Sequence, residues 1–169
     1  HYPVVNRDGE TIGSAVTNLD LHDIARAGRT YGVNTYYVVT PYTDQQELVR
    51  ELLDHWLTGY GSRNVHRQEA LSIIQVHDDL AGVYEAVKEK WGEKPTILAT
   101  SARKSEKAGS YQGVRQKILT GKPHVILFGT AWGLTQGIME HVDVVLPPID
   151  GGGTYNHLSV RSATAIILD

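Results

Sequence analysis

Three segments of this 169-residue chain combine glycine, hydroxyl and aromatic residues in a way that suits a small-molecule site. The first is Thr100-Ser101-Ala102-Arg103-Lys104-Ser105. The second is Phe128-Gly129-Thr130-Ala131-Trp132-Gly133-Leu134. The third runs from Pro147-Pro148-Ile149-Asp150 through Gly151-Gly152-Gly153 to Thr154-Tyr155-Asn156-His157-Leu158-Ser159. The usual phosphate anchors and nucleophile motifs are missing from the chain. Neither glycine segment carries the Lys-Ser or Lys-Thr of a P-loop, no Gly-x-Gly-x-x-Gly follows the first apolar run, and Gly-x-Ser-x-Gly does not occur. Glycine loops without those anchors suit a ligand gripped by backbone groups at close approach. A neutral adenine with a sulfonium or amino-acid tail has that character. The bland alternative is that Gly151 to Gly153 only make a flexible turn.

Other chemistries are narrowed by composition. There are no cysteines, which excludes disulfides, thiolate zinc sites and cysteine nucleophiles together. None of the eight histidines forms a His-x-x-x-His or His-Glu-x-x-His pair, and His77-Asp78-Asp79 reads as helix N-cap chemistry, so no metal is expected. His157 lies beside the glycine loop at an expected helix N-terminus, where the helix dipole disfavours the protonated ring and leaves a neutral polar contact. The net charge of −3 argues against a nucleic-acid binder as a whole. Its distribution argues differently, because residues 101–122 carry six basic side chains (Arg103, Lys104, Lys107, Arg115, Lys117, Lys122) against one acid, Glu106. Such a stripe is either a solvated face or a local attractor of phosphates, since the field within about a Debye length governs encounter.

These loops need a scaffold to position them. With 41% apolar and 21% charged residues the chain matches ordinary globular composition, and its length suits a single domain over 1–169. No run of about 18 apolar residues is present, so no membrane contact is expected. The N-terminus does not resemble a signal peptide, its start at His1 reads as a trimmed end, and a cytoplasmic location is expected. Short runs rich in Val, Ile and Tyr predict strands over 2–5, 35–39, 72–76, 96–100, 124–128 and 142–146. Between them, Leu48, Val49, Leu52, Leu53, Trp56 and Leu57 recur at helical spacing, with Thr43 and Gln46 as a capping box. Leu80, Val83, Val87 and Trp91 form a second stripe, opened by Asp78 and closed by Gly92. Leu21, Ile24, Gly28 and Tyr31 form a third, Val114, Ile118 and Leu119 a fourth, and 157–168 a last helix. This alternation predicts an α/β fold with a mainly parallel six-stranded sheet and helices on both faces. In such sheets ligands sit beyond the carboxyl ends of strands, where all three loops fall.

Read together, the loops resemble the SPOUT superfamily of S-adenosylmethionine-dependent RNA methyltransferases. Asn156-His157-Leu158-Ser159-Val160-Arg161-Ser162-Ala163-Thr164-Ala165-Ile166-Ile167-Leu168 is similar to that family's third motif, a turn opening the last helix. Leu127-Phe128-Gly129-Thr130-Ala131-Trp132-Gly133-Leu134 is similar to its second. Asn18-Leu19-Asp20-Leu21-His22-Asp23-Ile24-Ala25-Arg26-Ala27-Gly28-Arg29-Thr30-Tyr31-Gly32-Val33 resembles the first motif of the ribose-methylating branch. Within the superfamily, the nearest resemblance is to the domain sometimes fused to bacterial tRNA guanine-N1 methyltransferase.

The resemblance implies a deep C-terminal trefoil knot, a homodimer, S-adenosyl-L-methionine as cofactor and an RNA substrate, tRNA or rRNA. It places cofactor contacts at Thr100, Ser101, Gly129, Trp132, Leu146, Ile149, Leu158 and Ser159, mostly through backbone atoms. It assigns the methyl-transfer step to Arg26, with Asn156, His157 and Ser159 completing the polar site, and contact with RNA to Arg103, Lys104 and Lys107. A guanidinium stays protonated, so Arg26 is expected to orient a phosphate or polarise the attacking oxygen rather than act as a base. Three positions depart from the family pattern: Thr130-Ala131 stands where the branch has an acid, Ser159 where it has Asn, and Asp20 where it has Asn. The acceptor therefore stays open between ribose hydroxyl, base nitrogen and a target other than RNA. Two other readings remain, a knotted module that binds nucleotide or RNA without catalysis and a flavodoxin-like phosphate-binding enzyme.

Overall fold

Short strands alternate with helices over the residues described by a computed structural model of the chain, 1–103, 105 and 108–169. In chain order they are β1 (Val4–Val5), β2 (Thr11–Ile12), α1 (Asn18–Thr30), β3 (Tyr36–Val39), α2 (Thr43–Leu57), a 3₁₀ turn (Tyr60–Arg63), α3 (Val65–Leu71) and β4 (Ile74–His77). These are followed by α4 (Leu80–Trp91), β5 (Thr96–Thr100), α5 (Tyr111–Ile118), β6 (His124–Leu127), α6 (Gln136–His141), β7 (Val144–Leu146) and α7 (Val160–Leu168). The chain forms two compact units.

The first unit comprises His1–Tyr2, Gly13–Leu80 and Leu158–Asp169. Here β3 pairs in parallel with β4, from Tyr36 beside Ile74 to Val39 beside His77. The apolar face of α1 supplies Leu21 and Ala25 to a core with Val16, Val38, Val49, Leu71 and Ile74, all buried. That burial, not intrinsic propensity, is what holds a 13-residue helix in place. Thr17 caps α1, its Oγ1 accepting from the Asp20 N–H at 3.1 Å. Gly32, at φ +74°, reverses the chain, and the Val33 N–H donates to the Gly28 carbonyl at 2.8 Å. α1 packs against both α3 and α7.

The expected capping box on α2 does not form. Tyr42 occupies the N-cap with no side-chain bond, and Thr43 already belongs to the first turn. Gln46 is instead buried, donating from Nε2 to the Thr40 carbonyl at 2.8 Å and to Asp78 Oδ1 at 2.6 Å. The amide satisfies a carbonyl at the end of β3 that burial would otherwise leave unpaired. This also removes Asp78 from the capping role expected of it, since α4 begins at Leu80.

The second unit comprises Pro3–Ile12 and Ala81–His157. β1 and β2 form an antiparallel hairpin, Val4 beside Ile12, around a turn in which Asn6 Oδ1 accepts from the Asp8 and Glu10 N–H groups. β5 is the centre of a parallel three-stranded sheet in the order β6-β5-β7, with Leu98, Ala99, Leu127, Val145 and Leu146 buried. The expected six-stranded sheet is therefore corrected to hydrogen-bonded sheets of two, two and three strands among the described residues. Apolar patterning reports which segments are extended and buried, not which edges pair. The two-residue β1 is taken up by its own hairpin, and among the described residues β3 and β4 pair only with each other.

Candidate active site

In the second unit, the register brings three strand ends level. Thr100 at the end of β5 lies beside Leu146 of β7, and Ala99 beside Leu127 of β6. The chain leaves β5 for β6 on one side and returns past it to β7 on the other, so β5 marks a switch in strand order. A crevice opens outside the carboxyl ends of strands at such a point. Thr100 Oγ1 donates to the Leu127 carbonyl at 3.1 Å, tying the first two ends together. Ser101 turns the chain away, its Oγ accepting from the Arg103 N–H at 3.0 Å.

The loop after β6 is tightly folded and braced. The Gly133 N–H donates to the Thr130 carbonyl at 2.9 Å, and Ala131 sits at φ +50°, in the left-handed region that non-glycine residues rarely adopt. The Val5 N–H donates to the Gly133 carbonyl and the Trp132 N–H to the Val5 carbonyl, at 3.0 and 3.1 Å, so β1 holds the loop from outside. Trp132 itself is exposed. After β7, the Pro147 carbonyl accepts from the Tyr111 hydroxyl at 2.7 Å. Ile149 is half-buried, and Asp150 Oδ1 accepts from the Gly152 N–H at 2.8 Å to start the glycine turn. Beyond the adjoining residues, no atom of the described residues lies within 4 Å of where a Cβ would stand at Gly151, Gly152 or Gly153. Asn156 and His157 follow, exposed, with the His157 ring 5.7 Å from that of Tyr155. The helix opens only at Val160, so His157 precedes the N-cap by two residues.

Arg26, Leu158 and Ser159 belong to the first unit. Ser159 is the N-cap of α7, its Oγ accepting from the Ser162 N–H at 3.2 Å, and Leu158 before it is 46% exposed. Arg26 is exposed on α1, and among the described residues no carboxylate lies within ion-pair distance of it. Asp23 lies 3.9 Å from Arg161 instead. Asp20, buried, accepts from Thr17 Oγ1 at 2.7 Å and lies 3.5 Å from Arg161 Nε. First-motif acids on α1 and a third-motif arginine on α7 thus meet, which the linear spacing of the two motifs does not reveal. Of the three basic residues expected to meet RNA, Arg103 is exposed, and Lys104 and Lys107 lie outside the described residues. No group of three His, Asp or Glu is placed to hold a metal among the described residues.

His22, one turn before Arg26, packs edge-on against Trp56 with ring centroids 5.3 Å apart, and its Nδ1 is buried without a partner. Burial first, and then the Arg67 guanidinium, lower its pKa below the ordinary 6.5, with Asp23 opposing and Arg26 adding to the shift. The folded state therefore binds fewer protons than the unfolded state, and stability held above 6.5 is lost as pH falls below that value. In urea titrations at about pH 7.5 and 5.5, His22→Phe should lose less stability on acidification than the wild type. Parallel losses would remove His22 from the account.

A family model described as SAM-dependent RNA methyltransferase matches residues 1–169. The chain belongs to that family. It is 42% identical over 170 residues to a tRNA (guanine-N(1)-)-methyltransferase of Oleidesulfovibrio alaskensis, covering 100% of this chain and 40% of that protein. The chain thus spans about 40% of the length of the curated relatives first matched. Its α/β fold is shared with the TrmH/SpoU tRNA modifying enzyme of Aquifex aeolicus, at TM-score 0.58 and 20% identity over 92% of this chain and 68% of that one. It is also shared with an AdoMet-bound rRNA methyltransferase of Sinorhizobium meliloti, at TM-score 0.57 and 17% identity over 88% and 49%. S-adenosylmethionine is the family's cofactor. The strand-end residues of the second unit fit it: Thr100, Ser101, Gly129, Trp132, Leu146 and Ile149, none of them cationic, offer backbone groups, hydroxyls and apolar surface. No helix among the described residues is long and apolar enough to cross a membrane.

Proposed function

We propose that the chain transfers a methyl group from S-adenosylmethionine to tRNA, working in the cytoplasm as one domain over 1–169 and as a homodimer whose C-terminal segment is threaded into a deep trefoil knot. The observation that carries this reading is the level row of strand ends at Thr100, Leu127 and Leu146, flanking the switch in strand order. The tRNA methyltransferase name of a relative 42% identical supports tRNA over other RNA. Bound S-adenosylmethionine supplies an electrophilic methyl carbon on its sulfonium. The chain's own task is to align a ribose hydroxyl or base nitrogen in line with that carbon and to keep water out.

Thr100, Ser101, Gly129, Trp132, Leu146 and Ile149 would hold the cofactor, with Leu158 and Ser159 extending the grip. Arg26, with no carboxylate partner among the described residues, would orient the RNA phosphate or polarise the attacking atom through its guanidinium. Asn156 and His157 would hydrogen bond the substrate, and Arg103, Lys104 and Lys107 would draw in its backbone. One observation favours a second reading, binding without catalysis: the tight second-motif loop holds Thr130 and Ala131 where the ribose-methylating branch has an acid.

Radiolabelled methyl transfer to unmodified tRNA and rRNA pools, followed by nucleoside analysis, tests both. Label in one tRNA nucleoside is the expected result. S-adenosylmethionine binding by calorimetry with no label in any pool would replace catalysis by the binding reading, and no binding would overturn both.

A further inference from the structure

The first unit carries an open cleft of about 460 Å³ between α1 and α3, lined by Arg26, Arg29, Thr30, His66, Glu69 and Ala70. Positions 26, 29 and 30 share one face of α1, and 66, 69 and 70 one face of α3, by the three- and four-residue spacing of helical neighbours. Five of the six lining residues are polar or charged. An open, polar cleft of this kind does not suit an apolar ligand, and its two guanidiniums and one imidazole against a single carboxylate favour an anion. Arg29 is partly neutralised, since its Nε and Nη2 both donate to Glu69 Oε1, at 3.1 and 2.5 Å. Arg26 has no such partner among the described residues. Both guanidiniums stand at the solvent edge, Arg29 with 48% of its side chain exposed.

We infer that this cleft is a docking groove for the RNA backbone, in which a phosphodiester lies between Arg26 and His66 and competes with Glu69 for Arg29. The inference rests on the proposed RNA substrate. RNA is favoured over a small anion by the segment leading into α3, where Tyr60 is 73% exposed and the Arg63 guanidinium lies 4.4 Å from its ring centroid. An exposed ring with a stacked guanidinium is a surface on which an unpaired base can stack. The groove would deliver the strand to Arg26 from the side of α3.

Opposite charge changes in the cleft test this. The expected results are read from the binding of an unmodified tRNA transcript over a salt series. Thr30→Glu places a carboxylate one turn from Arg26 and should weaken binding about tenfold, comparable to losing one charged hydrogen bond. It should also lower the slope of log affinity against log salt by about 1. Glu69→Gln frees Arg29 and should tighten binding about threefold, a gain that misfolding cannot mimic. Lys88→Gln on α4 makes the same unit change in net charge as Thr30→Glu and should stay within about a factor of two of wild type. Wild-type affinity in both cleft variants, or an equal loss in Lys88→Gln, would overturn the groove while leaving methyl transfer intact. Cleft-dependent tRNA binding without methyl transfer would uphold the groove and overturn the catalytic reading alone. A wild-type protein that binds no tRNA would overturn the groove.

Discussion

Arg26→Ala should lower the rate of methyl transfer to tRNA by about two to three orders of magnitude, the loss typical of removing one preorganised electrostatic group from a reacting centre. The expected effect falls on turnover. S-adenosylmethionine affinity, measured by calorimetry, should be unchanged, because Arg26 is assigned to the RNA substrate and not to the cofactor. Stability should change by less than about 0.5 kcal/mol, since Arg26 is exposed and lacks an ion pair among the described residues. Arg26→Lys separates charge from shape. An ammonium keeps the charge but not the planar fork that grips two oxygens at once, so it should recover only part of the rate. Full activity in Arg26→Ala would end the assignment. A fall in tRNA affinity with turnover preserved would reduce Arg26 to a phosphate contact of the α1–α3 cleft.

The elements that proved readable in the sequence are those whose apolar pattern runs longest. The stripes from Leu48 to Leu57 and from Leu80 to Trp91 lie within α2 and α4, and β5 occupies 96–100 as the pattern predicts. The seven-residue α3 and six-residue α6 make two turns or fewer, too short for a helical period to rise above chance. The two-residue β2 is defined by its partner across a tight turn rather than by any pattern of its own. Gln46 shows how a local signal misleads: its spacing from Thr43 fits a cap, but burial directs its amide to Thr40 and Asp78, far ahead of any capping advantage.

The candidate site divides along the same line. Loops that follow strands were found because strand ends leave a local mark. The pairing of Asp20 with Arg161 and the α1–α3 cleft leave none, because each joins residues from separate segments that only packing brings together. Asp20 in place of the family's Asn has a physical counterpart here. Its carboxylate, held by Thr17 and Arg161, anchors the start of α1 to the start of α7, a role an amide would fill with a weaker, uncharged contact.

Gly129→Ala should cost roughly 1–3 kcal/mol, the usual range for inserting a group into a packed site. That corresponds to a melting point lower by about 2–10 °C in a domain of this size. The added Cβ would stand 2.7 Å from the Leu134 amide nitrogen and 2.9 Å from the Gly133 carbonyl carbon. Neither neighbour is a flexible side-chain tip that could swing aside. Both are backbone, and Gly133 is fixed by its hydrogen bond from Val5 while Leu134 bridges to Val4. Relief therefore requires the loop to detach from β1 or to shift across the ends of β5 and β6, which would move Trp132 and the backbone groups assigned to the cofactor. S-adenosylmethionine affinity should accordingly fall by at least about tenfold, the equivalent of one lost charged hydrogen bond. Gly137→Ala is the matched control, because it adds the same methyl group in α6 with nothing among the described residues outside its own helix within 4 Å and should be neutral or slightly stabilising. If Gly129→Ala melts and binds like the wild type, the loop is not packed as the structure has it, and the strand-end site loses the wall on which the cofactor reading depends.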